Sequence, residues 1–130
     1  MLTSTRNAQE KCSAVEAVLR GLAPDGGLYM LPEIPFLYDR VRGERNYLVI
    51  ARALLSALLP GYSPEEIEAC VRGAYDEKFD TPEIAPTHFA GERAVLELYH
   101  GPTAAFKDMA LSILPRLMTC ATTKRGAREE

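Results

Sequence analysis

Apolar positions recur along this chain mostly at helical spacing. After Ser13 they fall at Val15, Val18, Leu19 and Leu22, and Ser13 with Glu16 forms an S-x-x-E capping pattern, which predicts a helix that opens at Ser13. It should stop near Gly21, because Pro24-Asp25-Gly26-Gly27 has turn chemistry; a Gly-Gly pair can also cradle an anion, but the adjoining Pro-Asp favours the turn. The run 47–59 is interrupted only by Arg52 and Ser56, four residues apart, so it predicts a helix apolar nearly all round, of the kind that belongs inside. Pro60-Gly61 ends it. Ser63-Pro64-Glu65-Glu66 opens the next helix, with Ile67, Cys70, Val71, Ala74 and Phe79 on its buried side. A last helical pattern runs through Phe106, Met109, Ala110, Ile113, Leu114, Leu117 and Met118, with a kink or the end of the regular helix expected at Pro115, which cannot bond the Leu111 carbonyl. From Thr119 the chain turns polar, and no further core element is expected.

Strand signals are short. Residues 2–5 are β-prone and read as an edge strand with 28–31 as the expected partner, and 94–99 reads as a strand running into the loop before the last helix. The stretches 32–45 and 80–91 read as connectors, and Pro86 argues against regular structure in the second. The pattern as a whole is α+β: a mostly helical N-terminal domain with a small sheet over 1–93, then a strand and a helix over 94–130.

Lys107 stands at the edge of the last helix's apolar face. In a first turn the macrodipole disfavours a cation by roughly 0.3–1 kcal/mol. Burial beside Phe106 and Leu111 would push the same way, toward the neutral amine that can attack an aldehyde and hold a Schiff base. By residue type alone a solvated lysine is the commoner state. The glutamates 65, 66 and 68 are explained by a solvated helix start, and His88 reads as a loop side chain, with no second histidine or cysteine beside it.

Composition narrows the class. The chain of 130 residues is 47% hydrophobic and 25% charged with a net charge of −3, which is globular and gives no electrostatic case for nucleic acid or an anionic membrane surface. Cys12, Cys70 and Cys120 are odd in number and lack a paired metal-ligand spacing, so free thiols, no metal and a cytoplasmic location are expected. No stretch is long and apolar enough to span a bilayer.

The sequence His100-Gly101-Pro102-Thr103-Ala104-Ala105-Phe106-Lys107-Asp108 resembles the pyridoxal-phosphate lysine motif of threonine synthases. Ser4-Thr5-Arg6 and Gly21-Leu22-Ala23-Pro24-Asp25-Gly26-Gly27-Leu28-Tyr29 resemble two further signatures of that family, with departures at Asn7, where glycine is usual, and Ala104, where leucine is. The resemblance implies the N-terminal portion of a fold-type II enzyme that converts O-phospho-L-homoserine and water to L-threonine and phosphate. Residues 1–93 would be its N-terminal domain and 94–130 the start of its catalytic domain. It further implies that Lys107 is the catalytic Schiff-base residue and holds pyridoxal 5'-phosphate, with Phe106 beside the cofactor. His100, Thr103 and Asp108 become candidate substrate contacts. Each has a structural alternative: His100 can orient the loop, Thr103 can cap the helix and Asp108 can complement its N-terminus.

The cofactor also needs fixed N–H donors around its phosphate, and no glycine-rich loop follows Lys107. These 130 residues alone are therefore expected to be inactive. A threonine-synthase-like phospholyase and a non-catalytic helical interaction module are the competing readings. The apolar stripe of 106–118, left without the rest of a catalytic domain, is expected to be covered by self-association.

Overall fold

The computed structural model describes residues 1–129 and, for side chains, 1–127. Strand β1 (Leu2–Ser4) is the middle of a three-stranded antiparallel sheet, flanked by β2 (Lys11–Cys12) and β3 (Tyr29–Met30). The register sets Leu2 opposite Cys12 and Thr3 opposite Met30. The expected partner of the first strand is confirmed, but β1 is the central strand and not the edge strand expected, because β2 pairs on its other side, and two residues carry no periodicity to read. The turn at 24–27 is knitted to β1: Ser4 Oγ donates to Asp25 Oδ1 at 2.8 Å, and the Gly27 N–H donates to the same oxygen at 2.8 Å. A side chain at Gly27 would lie 2.1 Å from Ser4 Oγ, so the Gly-Gly pair is a close-packed turn.

Helix α1 (Ala14–Arg20) is capped by Ser13, which accepts from the Glu16 N–H. The capping pattern is only half used, because the Glu16 carboxylate takes Arg20 Nη2 at 2.5 Å instead of the Ser13 N–H. Gly21, at φ 76°, ends the helix, and this removes Leu22 from the predicted apolar face: it is 59% exposed. A short helix α2 (Tyr38–Val41) interrupts the first connector.

Helix α3 (Tyr47–Leu58) starts on Asn46, whose Oδ1 accepts from Leu48 and Val49. None of its residues is buried, contrary to the interior helix expected. Tyr47, Leu48, Ala51 and Leu55 lie on the core, while the other apolar residues of the helix, among them Val49, Ile50 and Leu54, are only half-buried. Helix α4 (Pro64–Ala74) carries the full reciprocal capping box and the predicted buried side, with Ile67, Val71 and Ala74 fully enclosed.

The second connector contains a strand. Strand β4 (Thr87–Ala90) pairs antiparallel with β5 (Arg93–Leu96), Thr87 opposite Leu96, around a Gly91-Glu92 turn whose first residue has φ 63°. Pro86 precedes this ribbon and so does not break it. All eight strand residues are exposed, and the strand predicted to reach Tyr99 ends at Leu96. Ile84, before the hairpin, is 3% exposed with φ 64°, a strained conformation for a β-branched residue that its place in the core enforces.

The last helical pattern is two helices, α5 (Asp108–Leu111) and α6 (Leu114–Glu129). The break falls at residues 112–113, so Pro115 lies in the first turn of α6, where its missing N–H costs nothing, and does not kink a continuous helix. The polar tail expected from Thr119 is instead most of α6, the wall of the core against α1 and α4, with Ala121 fully buried and Leu117 5% exposed. Tyr62 Oη donates to the Leu117 carbonyl at 3.1 Å, and Lys124 Nζ donates to both Glu66 oxygens at 2.8 and 2.7 Å. Burial pushes the Tyr62 hydroxyl up to about 12. The break therefore splits the stripe expected to drive self-association through a 106–118 helix: Ile113 and Leu117 turn into the chain's own core, while Phe106 and Met118 stay outside. Among the described residues no helix is long and apolar enough to cross a membrane.

Because α6 completes the core formed with α1 and α4, Leu117→Ala should lower global stability by roughly 2–5 kcal/mol, read from the urea midpoint. A loss below about 1 kcal/mol would show α6 to be peripheral.

Candidate functional site

The loop between β5 and α5 carries the lysine. It turns at 101–104, where the Ala104 N–H donates to the Gly101 carbonyl at 3.0 Å and Ala104 has φ 55°. Helical bonds begin directly after it, with the Ala110 and Leu111 N–H groups both donating to the Lys107 carbonyl at 3.0 and 2.9 Å. Lys107 is thus the N-cap of α5, one residue ahead of the first turn in which it was expected.

Asp108 closes the loop. Its carboxylate is 6% exposed and accepts the Thr103 N–H at 2.8 Å on one oxygen and the Thr103 hydroxyl at 2.7 Å on the other. These two bonds, the backbone one first, hold the carboxyl below the usual range. A side chain on Gly101 would lie 2.5 Å from Asp108 Cβ, so glycine there is a requirement of close approach. Of the two roles open to Thr103, this arrangement commits its hydroxyl proton to Asp108, and Thr103 does not cap α5.

His100 stands where the loop leaves the body. Its ring nitrogens lie 2.5 Å from Asp80 Oδ1 and 2.7 Å from Glu97 Oε2. Tyr99 covers it, with ring centroids 4.6 Å apart. Glu97 and Asp80 are the site residues that sequence reasoning missed. The Glu97–His100 spacing of three was a signal available in the chain, whereas Asp80 arrives only through tertiary folding. His88, read as a solitary loop side chain, is brought across the hairpin to 3.7 Å from Glu97 Oε1. Among the described residues no histidine, cysteine and carboxylate group is arranged to hold a metal.

Lys107 helps to line an open cleft of ≈ 1370 Å³ together with Phe106, Met109, His100, Arg45, Tyr47 and Ile50. The expected burial of the lysine is not found: Lys107 is exposed, Phe106 is 71% exposed and Leu111 53%. Among the described residues Lys107 makes no ion pair, so its amine is free to meet an aldehyde carbon in the cleft. These residues fit the reactive end of pyridoxal phosphate. None of the residues facing the cleft is a glycine, so they offer no close-packed backbone cradle for its phosphate.

Residues 1–75 match the family model described as threonine synthase N terminus. The chain is 35% identical over 132 residues to the threonine synthase of Schizosaccharomyces pombe, which covers 97% of this chain and 26% of that protein. It is 36% identical to human threonine synthase-like 1 over 85% of this chain and 16% of that protein. Its fold superimposes on the crystal structure of PLP-bound threonine synthase from Brucella melitensis with a TM-score of 0.85 and 36% identity, covering 96% of this chain and 28% of that one. The chain thus spans about a quarter of the length of a threonine synthase.

Two substitutions probe the loop. Gly101→Ala should cost roughly 1–3 kcal/mol, because its methyl group meets the Asp108 backbone-linked Cβ and cannot be accommodated by a rotamer change. Ala104→Gly should stabilise by roughly 0.5–1 kcal/mol by relieving the positive φ. Denaturant titration of both variants reads the two signs, and a neutral Gly101→Ala would show that the loop is not closed as described.

Proposed function

The chain belongs to the threonine synthase family, whose N-terminal part it matches, and on that premise we propose that it is the lysine-bearing part of a fold-type II enzyme converting O-phospho-L-homoserine and water to L-threonine and phosphate. Residues 1–93 serve as its N-terminal domain, and the catalytic domain begins at residue 94. The observation that carries the reading is Lys107: an exposed, unpaired amine in the wall of a large cleft, at the end of a loop clasped by a buried carboxylate.

In this reading Lys107 is the catalytic residue and holds pyridoxal 5'-phosphate through its Nζ. Bound there, the cofactor supplies an electron sink for carbanion chemistry next to the substrate's amino group. The rest is done by the protein. When its amine is free, Lys107 acts as the base that moves protons at the substrate's α, β and γ carbons. Phe106, which lines the same cleft, would give the bound cofactor an apolar neighbour. Thr103 and Asp108 act by shaping the loop, and a substrate contact of Thr103 would use its backbone carbonyl or hydroxyl lone pairs, its hydroxyl proton being on Asp108. His100, on the cleft wall with Lys107, is the remaining candidate for a substrate contact. A phospholyase acting on another phosphorylated amino acid would keep the same lysine and loop.

Borohydride trapping in the presence of pyridoxal phosphate, followed by peptide mapping, tests the assignment in the full-length enzyme, where further residues supply the phosphate cradle that the cleft lining of this chain lacks. The pyridoxyl group should be found on Lys107 in preference to Lys11, Lys78 and Lys124, and Lys107→Arg should abolish the preferred site. A label placed on another lysine contradicts it.

A further inference from the structure

We propose that His100 is the positioning residue of the lysine loop, its ring bridging Asp80 and Glu97 so that Lys107 is fixed at one place in the cleft. Three observations carry this. First, both ring nitrogens meet carboxylate oxygens, at 2.5 and 2.7 Å. A neutral imidazole donates from one nitrogen only and would turn its other lone pair onto an anion, so this geometry calls for the doubly protonated cation. Second, the Asp80 N–H donates to the His100 carbonyl at 3.0 Å, so residue 100 is tied to the turn at 80 by backbone and side chain together. Third, the loop beyond it is internally closed by Asp108 on Thr103, and so moves as a unit whose placement is set at its two ends. One end is α5, where Tyr75 Oη donates to the Met109 carbonyl at 2.8 Å. The other is His100.

The charged and titratable groups facing this ring are Asp80 from the 80–86 turn, Glu97 after β5, Glu83 at longer range, Tyr99 stacked on the ring, and His88 of β4 behind Glu97. The Glu97 and Asp80 carboxylates raise the His100 pKa above the ordinary histidine value, Glu97 contributing most. A raised folded-state pKa means that the stabilisation is complete below about pH 6.5 and is lost as pH rises through the raised value. His100 in turn holds the Glu97 carboxyl below its usual range, so that part of the clamp persists until pH falls through the lowered value.

The functional meaning of the proposal rests on Lys107 being the cofactor lysine, but two of its three readouts do not use the cofactor. With selective histidine labelling, His100 should titrate above about 6.5 by NMR, and Asp80→Asn and Glu97→Gln should each bring it down. In His100→Gln the Asp80 amide should exchange roughly tenfold faster, while the Thr103 amide, bonded within the loop, keeps its protection. In the third readout, the pH profile of borohydride-trapped label on Lys107 should show an inflection at the His100 titration that His100→Gln removes. A His100 titration unmoved by both carboxamide variants, an Asp80 amide unmoved in His100→Gln, or a labelling profile without the inflection in the unaltered protein overturns the proposal. Absence of label on Lys107 while the first two results hold would instead sink the assignment of the cofactor lysine.

Discussion

A single buried carboxylate organises the loop that carries Lys107. Asp108 has two oxygens, and Thr103 supplies a donor to each, one from the backbone and one from the side chain. The pair spans the turn that begins at Gly101, so the chain between them has little freedom left. The absence of a side chain at Gly101 and the positive φ at Ala104 are both consequences of bringing residue 103 back to residue 108. Lys107, adjacent to the clasped carboxylate, is aimed by that closure and not by burial of its own side chain. Because the Asp108 pKa is lowered, the closure is fully present above the ordinary aspartate value of about 3.9 and is lost as pH falls through the lowered one.

The loop has value only if it stands still relative to the body, and the body is built to hold α5 and α6. Buried tyrosines do much of this. Tyr62 and Tyr75 lie on either side of α4, and each donates to a carbonyl of the segment after Lys107, Leu117 and Met109 respectively. Tyr75 is in turn packed edge-on against Tyr47 at 4.8 Å, which links the lysine helix to α3 across the core. The Lys124–Glu66 pair adds a polar latch that reuses the capping glutamate of α4. A glutamate already held by the Ser63 N–H loses little freedom when it accepts a second donor.

Much of this was legible in the chain. Ser13 and Ser63 cap the helices they were expected to open, Pro60-Gly61 ends α3 on time, and Ile67, Cys70, Val71 and Ala74 form the face that their spacing indicates. What was not legible has physical causes. Strand β2 is two residues long, and the hairpin β4–β5 buries neither face, so no alternation marks it. Helix α6 was hidden by its threonines: Thr119, Thr122 and Thr123 read as polar tail, yet each returns its hydroxyl to the carbonyl four residues back and stays helical. Its buried positions are also small, Ala121 and the partly buried Cys120, and small residues give a weak periodic signal. At the site, the motif located Lys107, Asp108, Thr103 and His100, but the partners of His100 come from residues 80 and 97 and depend on the fold.

The lysine loop is already shaped by Asp108 before any ligand arrives. Carbon-13 NMR of the Asp108 carboxyl, followed through acid titration of the ligand-free protein, tests it most directly. The account predicts a midpoint below about 3.9, with the Thr103 amide resonance moving at the same pH. A midpoint at or above the ordinary value, with Thr103 indifferent to it, would mean that the carboxylate is not closed on Thr103 and that the loop is not pre-shaped.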